Sequence, residues 1–165
     1  MEFLNVVDES DKVIGRVERE HAHRHFVRHR SGMVFLLNSR GEVLLQQRAS
    51  DRETFPDCLD ASVTFHIKYG EPCDEAAQRE MFEEVGVEGK PEFIGKFSHR
   101  DRPENQIVWV WKHIHDGHVQ IDPRESRKGF FLPWRKVDGL IESSRKTPWL
   151  RRGWELLKKH EKWEP

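Results

Sequence analysis

Three carboxylates crowd into residues 79–87, REMFEEVGV. Glu80 precedes Glu83 by three positions and Glu84 by four, so on a helix the three side chains are neighbours. Like charges at these spacings repel by roughly a few tenths of a kcal/mol per pair, and the dipole near a helix C-terminus also disfavours anions. A divalent cation would reverse that cost, since clustered carboxylate oxygens suit Mg²⁺ or Mn²⁺ bound together with substrate phosphates. The cluster therefore favours a metal site over its alternative, a solvated helix face.

The residues around the carboxylates predict a helix between Pro72 and Gly86. Proline suits the first turn of a helix, and glycine suits the position just after its C-terminus. A stripe of residues spaced by four should face the core: Cys73, Ala77, Met81 and Val85. Ala76 falls on the same face as the glutamates. The sequence thus places the carboxylates on a helix that packs against the rest of the protein.

The remaining elements are mostly strands. Two short strands flank a polar turn at residues 8–11, and a hairpin is predicted from residues 32–38 and 42–48. Later segments predict three more strands and a last strand or turn, at residues 60–67, 92–100, 105–114 and 129–134. A closing amphipathic helix from Thr147 onward has one marked side: Leu150, Trp154, Leu157 and Glu161. Strands with one central helix and one final helix indicate a mixed α/β fold.

Composition excludes several function classes. The chain has 165 residues, enough for one domain with a real core, and its six Trp and ten Phe argue against disorder. A net charge of −1 gives no global field for nucleic acid. No apolar run approaches the roughly 20 residues that span a bilayer, and the N-terminal residues lack a signal-peptide pattern. Cys58 and Cys73 are isolated, which predicts reduced thiols in a cytoplasmic protein.

A known motif covers the carboxylates. Residues 79–87 match R-E-U-x-E-E-x-G-U, the second half of the Nudix box, at every specified position, and Glu71 stands eight residues before Arg79, where that box has its first glutamate. The chain therefore resembles the Nudix hydrolases. The resemblance implies an α/β/α sandwich with a mixed central β-sheet. It also implies a single domain over residues 1–165, with an N-terminal β-hairpin extension over about residues 1–30.

The same resemblance implies a set of roles. Glu80, Glu83 and Glu84 would bind Mg²⁺ or Mn²⁺, and Glu83 or Glu84 would act as the base. Arg79 would hold the carboxylates in place by ion pairing. Most Nudix hydrolases cleave a diphosphate linked to another group, so the expected partner is a small-molecule diphosphate. Neither the leaving group nor the oligomeric state is indicated.

The residues before the helix resemble another Nudix branch, the isopentenyl diphosphate isomerases. The likeness runs over about residues 5–149 and includes LLQQR, SVTFH, ENQ and TPW. It implies a possible second metal site formed by His29, His66 and Glu104. It also implies that Arg48 and Arg52 hold the substrate's diphosphate.

Two substitutions oppose isomerisation. Thr64 stands where the isomerases have a catalytic cysteine, and Gln106 stands where they have a catalytic glutamate. Isomerisation adds a proton on one side of an alkene and removes one on the other, which a neutral hydroxyl and an amide do poorly. The sequence therefore predicts a diphosphate hydrolase, with an isomerase as the first alternative. A non-catalytic diphosphate-binding module is the second, because Phe65 replaces the first glycine of the Nudix box and Lys68 replaces a common glutamate.

Residues 21–30, HAHRHFVRHR, suggest further metal ligands. His21, His23 and His25 would share one face of a strand, as a zinc site requires. No cysteine lies nearby and arginines interleave, so the prediction is a solvated basic segment that attracts an anionic substrate. Glu125, in a loop before the last strand, is a candidate extra carboxylate.

Overall fold

Nine strands in one sheet and four helices make up residues 1–163, which the computed structural model describes. The strands are β1 (Phe3–Val7), β2 (Val13–Glu18), β3 (His29–Leu37), β4 (Glu42–Arg48), β5 (Leu59–Asp60), β6 (Val63–His66), β7 (Glu92–Asp101), β8 (Glu104–Ile114) and β9 (Ser126–Pro133). The helices are α1 (Arg19–His25), α2 (Cys73–Val85), α3 (Trp134–Ser143) and α4 (Leu150–Glu161). This mixed α/β architecture confirms the predicted fold class. No helix within residues 1–163 is long and apolar enough to span a membrane.

Strand β3 is the centre of the sheet. It runs parallel to β8 from the pair His29↔Gln106 to the pair Leu37↔Ile114. Along its other edge it pairs antiparallel with β6 over Ser31–Val34. The predicted hairpin of residues 32–38 and 42–48 is therefore only partly right, because β6 occupies the edge that β4 would need. Strand β4 meets β3 at one pair and turns away to bond with β5 and β9.

The hydrophobic residues form one cluster on each face of the sheet. Along β3 the side chains alternate, so that Met33 and Phe35 belong to one cluster while Val34 and Leu36 belong to the other. Helices α3 and α4 cover the first cluster, and α2 covers the second. The sheet is therefore a middle layer between helices, as the Nudix resemblance implies.

Helix α2 lies where the sequence predicts it. It begins at Cys73, directly after Pro72, and Gly86 ends it with φ 69°, a left-handed conformation that glycine adopts readily. The predicted core stripe is fully buried at Ala77, Met81 and Val85. Ala76, predicted on the glutamate face, is also fully buried, because a helix packed on a sheet buries a stripe wider than one row of residues.

Two helices were not predicted from the sequence. Residues 19–25 form α1, so the prediction that His21, His23 and His25 share one face of a strand is wrong: His21 and His25 stack with ring centroids 4.1 Å apart, one helical turn apart. Helix α3 follows β9 directly and buries Val137 and Ile141. In the closing helix, Leu150, Trp154 and Leu157 are buried as predicted.

Phe65 replaces the first glycine of the Nudix box, and its side chain lies on the face of the sheet that α2 covers. Along β6, Val63 and Phe65 belong to the hydrophobic cluster beneath α2, whereas the alternate side chains point the other way. Phe65 pairs with Gly32 across the sheet, and its ring stacks on Trp111 with centroids 6.1 Å apart. A Cβ atom at Gly32 would collide with the Phe65 ring, so Gly32 makes room for it.

We therefore expect Gly32→Ala to destabilise the protein by about 1–3 kcal/mol through overpacking. The cost should be smaller in a Phe65→Leu background, in which the ring is absent. Gly15→Ala is the matched control, because a Cβ atom there has no neighbour within 4 Å. Denaturant unfolding of the single and double variants measures the coupling. Equal costs of Gly32→Ala in both backgrounds would contradict this explanation of how Phe65 is accommodated.

Candidate functional site

One cleft of about 240 Å³ collects most of the candidate site residues. Its lining includes Arg48, Arg52, His66, Arg79, Glu80, Glu83, Glu84, Glu104 and Glu125. Glu80, Glu83 and Glu84 come from α2, whereas His66 and Glu104 come from the ends of β6 and β8, the two strands that flank β3. Two groups of possible metal ligands, distant in sequence, therefore share one opening.

Arg79 ties the carboxylates of α2 together. Its guanidinium donates two hydrogen bonds to Glu71, at 2.7 and 3.0 Å, one to Glu80 at 2.7 Å and one to Glu83 at 3.1 Å. The hydrogen bond to Glu71 is the largest of the effects that raise the pKa of Arg79. Because one cation contacts three carboxylates, much of their mutual repulsion is offset without a metal ion.

Glu84 differs from its neighbours because no side chain of residues 1–163 donates a hydrogen bond to its carboxylate and it is only 6% exposed. Burial raises its pKa well above the usual value, and the negative charges of Glu125, Glu80 and Asp60 raise it further. Burial also raises the pKa of Glu80, although Arg79 opposes that shift. Ionised Glu84 is thus unfavourable in the wall of the cleft, and a bound cation would compensate its charge.

Replacing Glu84 with Gln should make the metal-free protein more stable, by roughly 0.3–1 kcal/mol, because one buried charge near the helix C-terminus disappears. The gain should shrink as the pH falls, because a raised pKa means that the folded protein favours the protonated form, and protonation of Glu84 removes the same charge. Unfolding in the presence of a chelator at several pH values measures both effects. A Glu84→Gln variant that is less stable at neutral pH would mean that this carboxylate serves the fold.

A second cluster lies beside the same cleft and consists of His23, His29, His66 and Glu104. One ligand atom from each lies within 4.8 Å of the others. The Oε2 atom of Glu104 is 3.4 Å from Nε2 of His23, 3.5 Å from that of His29 and 3.8 Å from that of His66. This group, the His–Glu cluster, joins α1 to the starts of β3 and β8 and the end of β6.

The protonation states of the His–Glu cluster suit metal binding. Burial lowers the pKa of His66 to about 4 and also lowers the pKa of His23. Burial alone would raise the pKa of Glu104, but the neighbouring imidazoles of His29 and His66 outweigh burial and hold it well below its usual range. Neutral imidazoles and an ionised carboxylate are the forms that bind metals. The Nε2 atom of His29 is buried and without a hydrogen-bond partner in residues 1–163, as expected for a metal ligand.

The structure brings His29, His66 and Glu104 together and adds His23, which sequence reasoning missed. The predicted solvated segment is wrong at this residue: the side chain of His23 is only 13% exposed, and its Nε2 lies 3.3 Å from that of His66. Spacing offered no signal for it, because His23 reaches the cluster only through α1 and the reversal at Phe26, whose φ is 57°.

The two arginines predicted to bind substrate differ in their surroundings. Arg48 is 8% exposed and donates hydrogen bonds to the carbonyl oxygens of Thr54 and Phe55. Arg52 is more accessible and pairs with Glu125 at 2.9 Å, and both of these side chains are partly exposed. Arg52 can therefore exchange its partner more easily than Arg48.

Asp60, which the sequence did not single out, organises the floor of the cleft. It is 2% exposed and lies 3.4 Å from a terminal guanidinium nitrogen of Arg48. The hydroxyl of Thr64 donates to it at 3.0 Å, and the indole nitrogen of Trp149 donates to it at 3.1 Å. The proton of Thr64 is thus directed at Asp60.

Comparisons with known proteins agree with the fold. The sequence profile of the NUDIX domain matches residues 27–153. Isopentenyl-diphosphate Delta-isomerase 1 of Photorhabdus laumondii is 29% identical, with 97% of each chain covered. An uncharacterized Nudix hydrolase of Nostoc sp. is 36% identical, covering 93% of this chain and 88% of the relative. The crystal structure of DR0079 from Deinococcus radiodurans superposes with a TM-score of 0.78 at 26% identity, covering 96% of this chain and 98% of that one.

Proposed function

Because the chain belongs to the NUDIX domain family, we propose that it is a hydrolase that directs water onto the diphosphate of a small-molecule substrate with the help of Mg²⁺ or Mn²⁺. The observation that carries the proposal is the set of glutamate side chains on α2, which Arg79 holds in place at the wall of the cleft. A cluster of oxygen donors in which buried Glu84 forms no ion pair with any side chain of residues 1–163 fits a hard divalent ion.

In the proposed reaction each side chain has its own role. Glu80, Glu83 and Glu84 would hold the ion, which would neutralise phosphate charge and lower the pKa of water. Glu83 or Glu84 takes the proton of the attacking water. Arg79 keeps the glutamates in position.

The phosphate groups would contact Arg52 and Arg48. A guanidinium fork matches two phosphate oxygens, and both arginines line the cleft. Arg52 gives up its partly exposed pair with Glu125 on binding. Arg48 already donates hydrogen bonds to the carbonyl oxygens of Thr54 and Phe55. Its role is therefore mainly to supply positive charge and to hold the loop that carries Arg52.

An isopentenyl diphosphate isomerase is the second candidate, and the His–Glu cluster together with the isomerase relatives favours it. The residues at the two proton-transfer positions argue against an isomerase. Thr64 donates its hydroxyl hydrogen to Asp60, and the Gln106 amide is hydrogen-bonded at both ends. A third candidate, a diphosphate-binding module without catalysis, rested on Phe65 and Lys68. The Phe65 side chain lies in the core, which weakens that argument.

Two further parts of the proposal concern organisation and location. We propose that residues 1–165 form a single domain, with β1, β2 and α1 as an extension that supplies His23. A reducing, cytoplasmic location would agree with Cys58 and Cys73, which are free thiols.

The proposal predicts metal-dependent cleavage of the phosphoanhydride bond in at least one member of a panel of nucleoside diphosphates, sugar nucleotides and other diphosphates. Glu83→Gln should lower kcat by about 10²–10⁴-fold, because it removes a metal ligand or base. Glu75→Gln is the matched control, since it removes the same charge from an exposed position in the first turn of α2. A Glu83→Gln variant with wild-type activity would contradict the proposal. Tight binding of diphosphates without their cleavage would also contradict it and would favour the binding module.

Arg52→Ala should raise KM for a diphosphate by about 10- to 100-fold, the equivalent of one charge-assisted hydrogen bond of roughly 1.5–3 kcal/mol. Its unfolding free energy should stay within about 1 kcal/mol of wild type, because the pair with Glu125 is partly exposed. Arg127→Ala is the control, because it removes a surface pair with Asp57 outside the cleft. An unchanged KM in Arg52→Ala would exclude this arginine from phosphate binding.

A further inference from the structure

One turn of the Nudix box carries two charged side chains. The turn spans Lys68–Glu71, with a hydrogen bond from the amide of Glu71 to the carbonyl oxygen of Lys68 at 3.1 Å and with Gly70 at φ 79°. A positive φ at the third residue of a four-residue turn favours glycine. Lys68 at its start lines the cleft, and Glu71 at its end accepts two hydrogen bonds from Arg79. The conformation of this turn therefore determines the position of both charges.

Strand β1, in the N-terminal extension, holds this turn. Asn5 is only 3% exposed, and its side-chain nitrogen donates a hydrogen bond to the carbonyl oxygen of Lys68 at 3.2 Å. Its side-chain oxygen accepts one from the amide of Gly70 at 3.4 Å. The amide of Tyr69 donates to the carbonyl oxygen of Phe3 at 2.7 Å. Both ends of the Asn5 amide are thus bonded to the turn, as a buried amide group requires.

Lys68 forms no ion pair with any carboxylate of residues 1–163, although its exposed side chain lines a cleft rich in glutamates. The carboxylates of Glu71 and Glu80 pair with Arg79 instead. Burial raises the pKa of Glu80, and Arg79 and, more weakly, Lys68 oppose that shift. The charge of Lys68 therefore acts on the glutamates from a distance, and its ammonium group can contact an anion that enters the cleft.

A lysine at this position reverses the charge of the glutamate that is common there. A carboxylate beside Glu71 and Glu80 would attract a divalent cation more strongly, whereas an ammonium group attracts phosphate. Arg48 and Arg52 reach the cleft from β4 and the loop after it, but Lys68 reaches it from the turn between β6 and α2. Cations on two separate elements can contact different oxygen atoms of one diphosphate.

We propose that Lys68 is a further substrate-binding residue that contacts the diphosphate, and that Asn5 is the positioning residue that holds Lys68 in the cleft. This inference rests on the proposed hydrolysis, because it concerns the same substrate and the same cleft. It gives the N-terminal extension a role in substrate binding, since β1 fixes the turn that carries the lysine. It also gives a functional reason for the departure from the common glutamate.

Binding of methylenediphosphonate, a diphosphate analogue that water does not cleave, tests the role of Lys68 apart from catalysis. In calorimetric titrations with saturating Mg²⁺, Lys68→Met should weaken binding by about 10-fold, because one charge-assisted contact is lost. Lys68→Glu should weaken it further and should bind Mn²⁺ at least about 3-fold more tightly, because the reversed charge favours a cation and disfavours an anion. The electron paramagnetic resonance signal of free Mn²⁺ measures the second effect. Lys12→Met, which removes the same charge from an exposed position outside the cleft, should change neither affinity.

A double-mutant cycle tests the role of Asn5. Asn5→Ala should weaken binding of methylenediphosphonate by about 3–10-fold, because the turn loses two hydrogen bonds that fix it. In a Lys68→Met background the same substitution should weaken binding less, whereas its cost in unfolding free energy should be equal in both backgrounds. The unfolding temperature shows whether each variant folds. Asn5→Asp, which keeps the acceptor for the Gly70 amide and loses the donor to Lys68, replaces Asn5→Ala if the latter does not fold.

Wild-type affinity for methylenediphosphonate in Lys68→Met would overturn the proposal, as would equal weakening by Lys68→Met and Lys12→Met. A Lys68→Glu variant that loses affinity for methylenediphosphonate and for Mn²⁺ together would show general damage to the cleft and would also overturn it. Equal losses of affinity from the Asn5 substitution in both backgrounds would remove Asn5 from this role. Failure of the proposed hydrolysis looks different: wild type would bind methylenediphosphonate through Lys68 yet cleave no diphosphate.

Discussion

The ion pairs of Arg79 with Glu71, Glu80 and Glu83 are the interaction on which the site depends. Without this cation, the carboxylates of Glu71, Glu80 and Glu83 would repel one another. With it, all three are held by hydrogen bonds, and Glu84 remains buried without an ion pair in residues 1–163. The protein therefore keeps a pre-arranged group of oxygen donors at a cost in stability, which a metal ion would recover.

The sheet determines what stands opposite these carboxylates. Because β3 pairs in parallel with β8 and antiparallel with β6, His29, Glu104 and His66 come to the same end of the sheet. Helix α1 then adds His23 above them. One cleft thus combines the carboxylates typical of a Nudix hydrolase with a histidine group that resembles the isomerase branch. The proton-moving positions differ from that branch: Thr64 is bonded to Asp60, and Gln106 supports Glu104.

The sequence predicted the parts of the site that have a fixed local spacing. Helix α2 and its glutamates follow from residues 71–87 alone, because helical periodicity and end signals are local. The partners of β3 are not local, and the predicted hairpin with β4 failed where β6 took its place. His29, His66 and Glu104 were expected together through resemblance, since nothing in their spacing shows that they meet.

Other features were beyond the reach of the sequence for a physical reason. His23 depends on a short helix whose stability comes from packing rather than from propensity. In the sequence, nothing distinguishes Asp60 from any other polar residue at the end of a strand. Only the fold shows that Thr64 and Trp149 both donate hydrogen bonds to it. Phe65 occupies the position of the first glycine of the Nudix box, yet the alternation of side chains along β6 places its ring in the core, beside Gly32.

The central claim is that this cleft cleaves diphosphates and does not move alkene protons. Proton and phosphorus NMR spectra of isopentenyl diphosphate, incubated with the protein and Mg²⁺ and separately with Zn²⁺, test it in one sample series. The hydrolase proposal predicts that the alkene signals stay unchanged, while any reaction appears in the phosphorus spectrum as phosphate release. Formation of dimethylallyl diphosphate above background would contradict it, since Thr64 and Gln106 could not then be the reason for a lost isomerase activity.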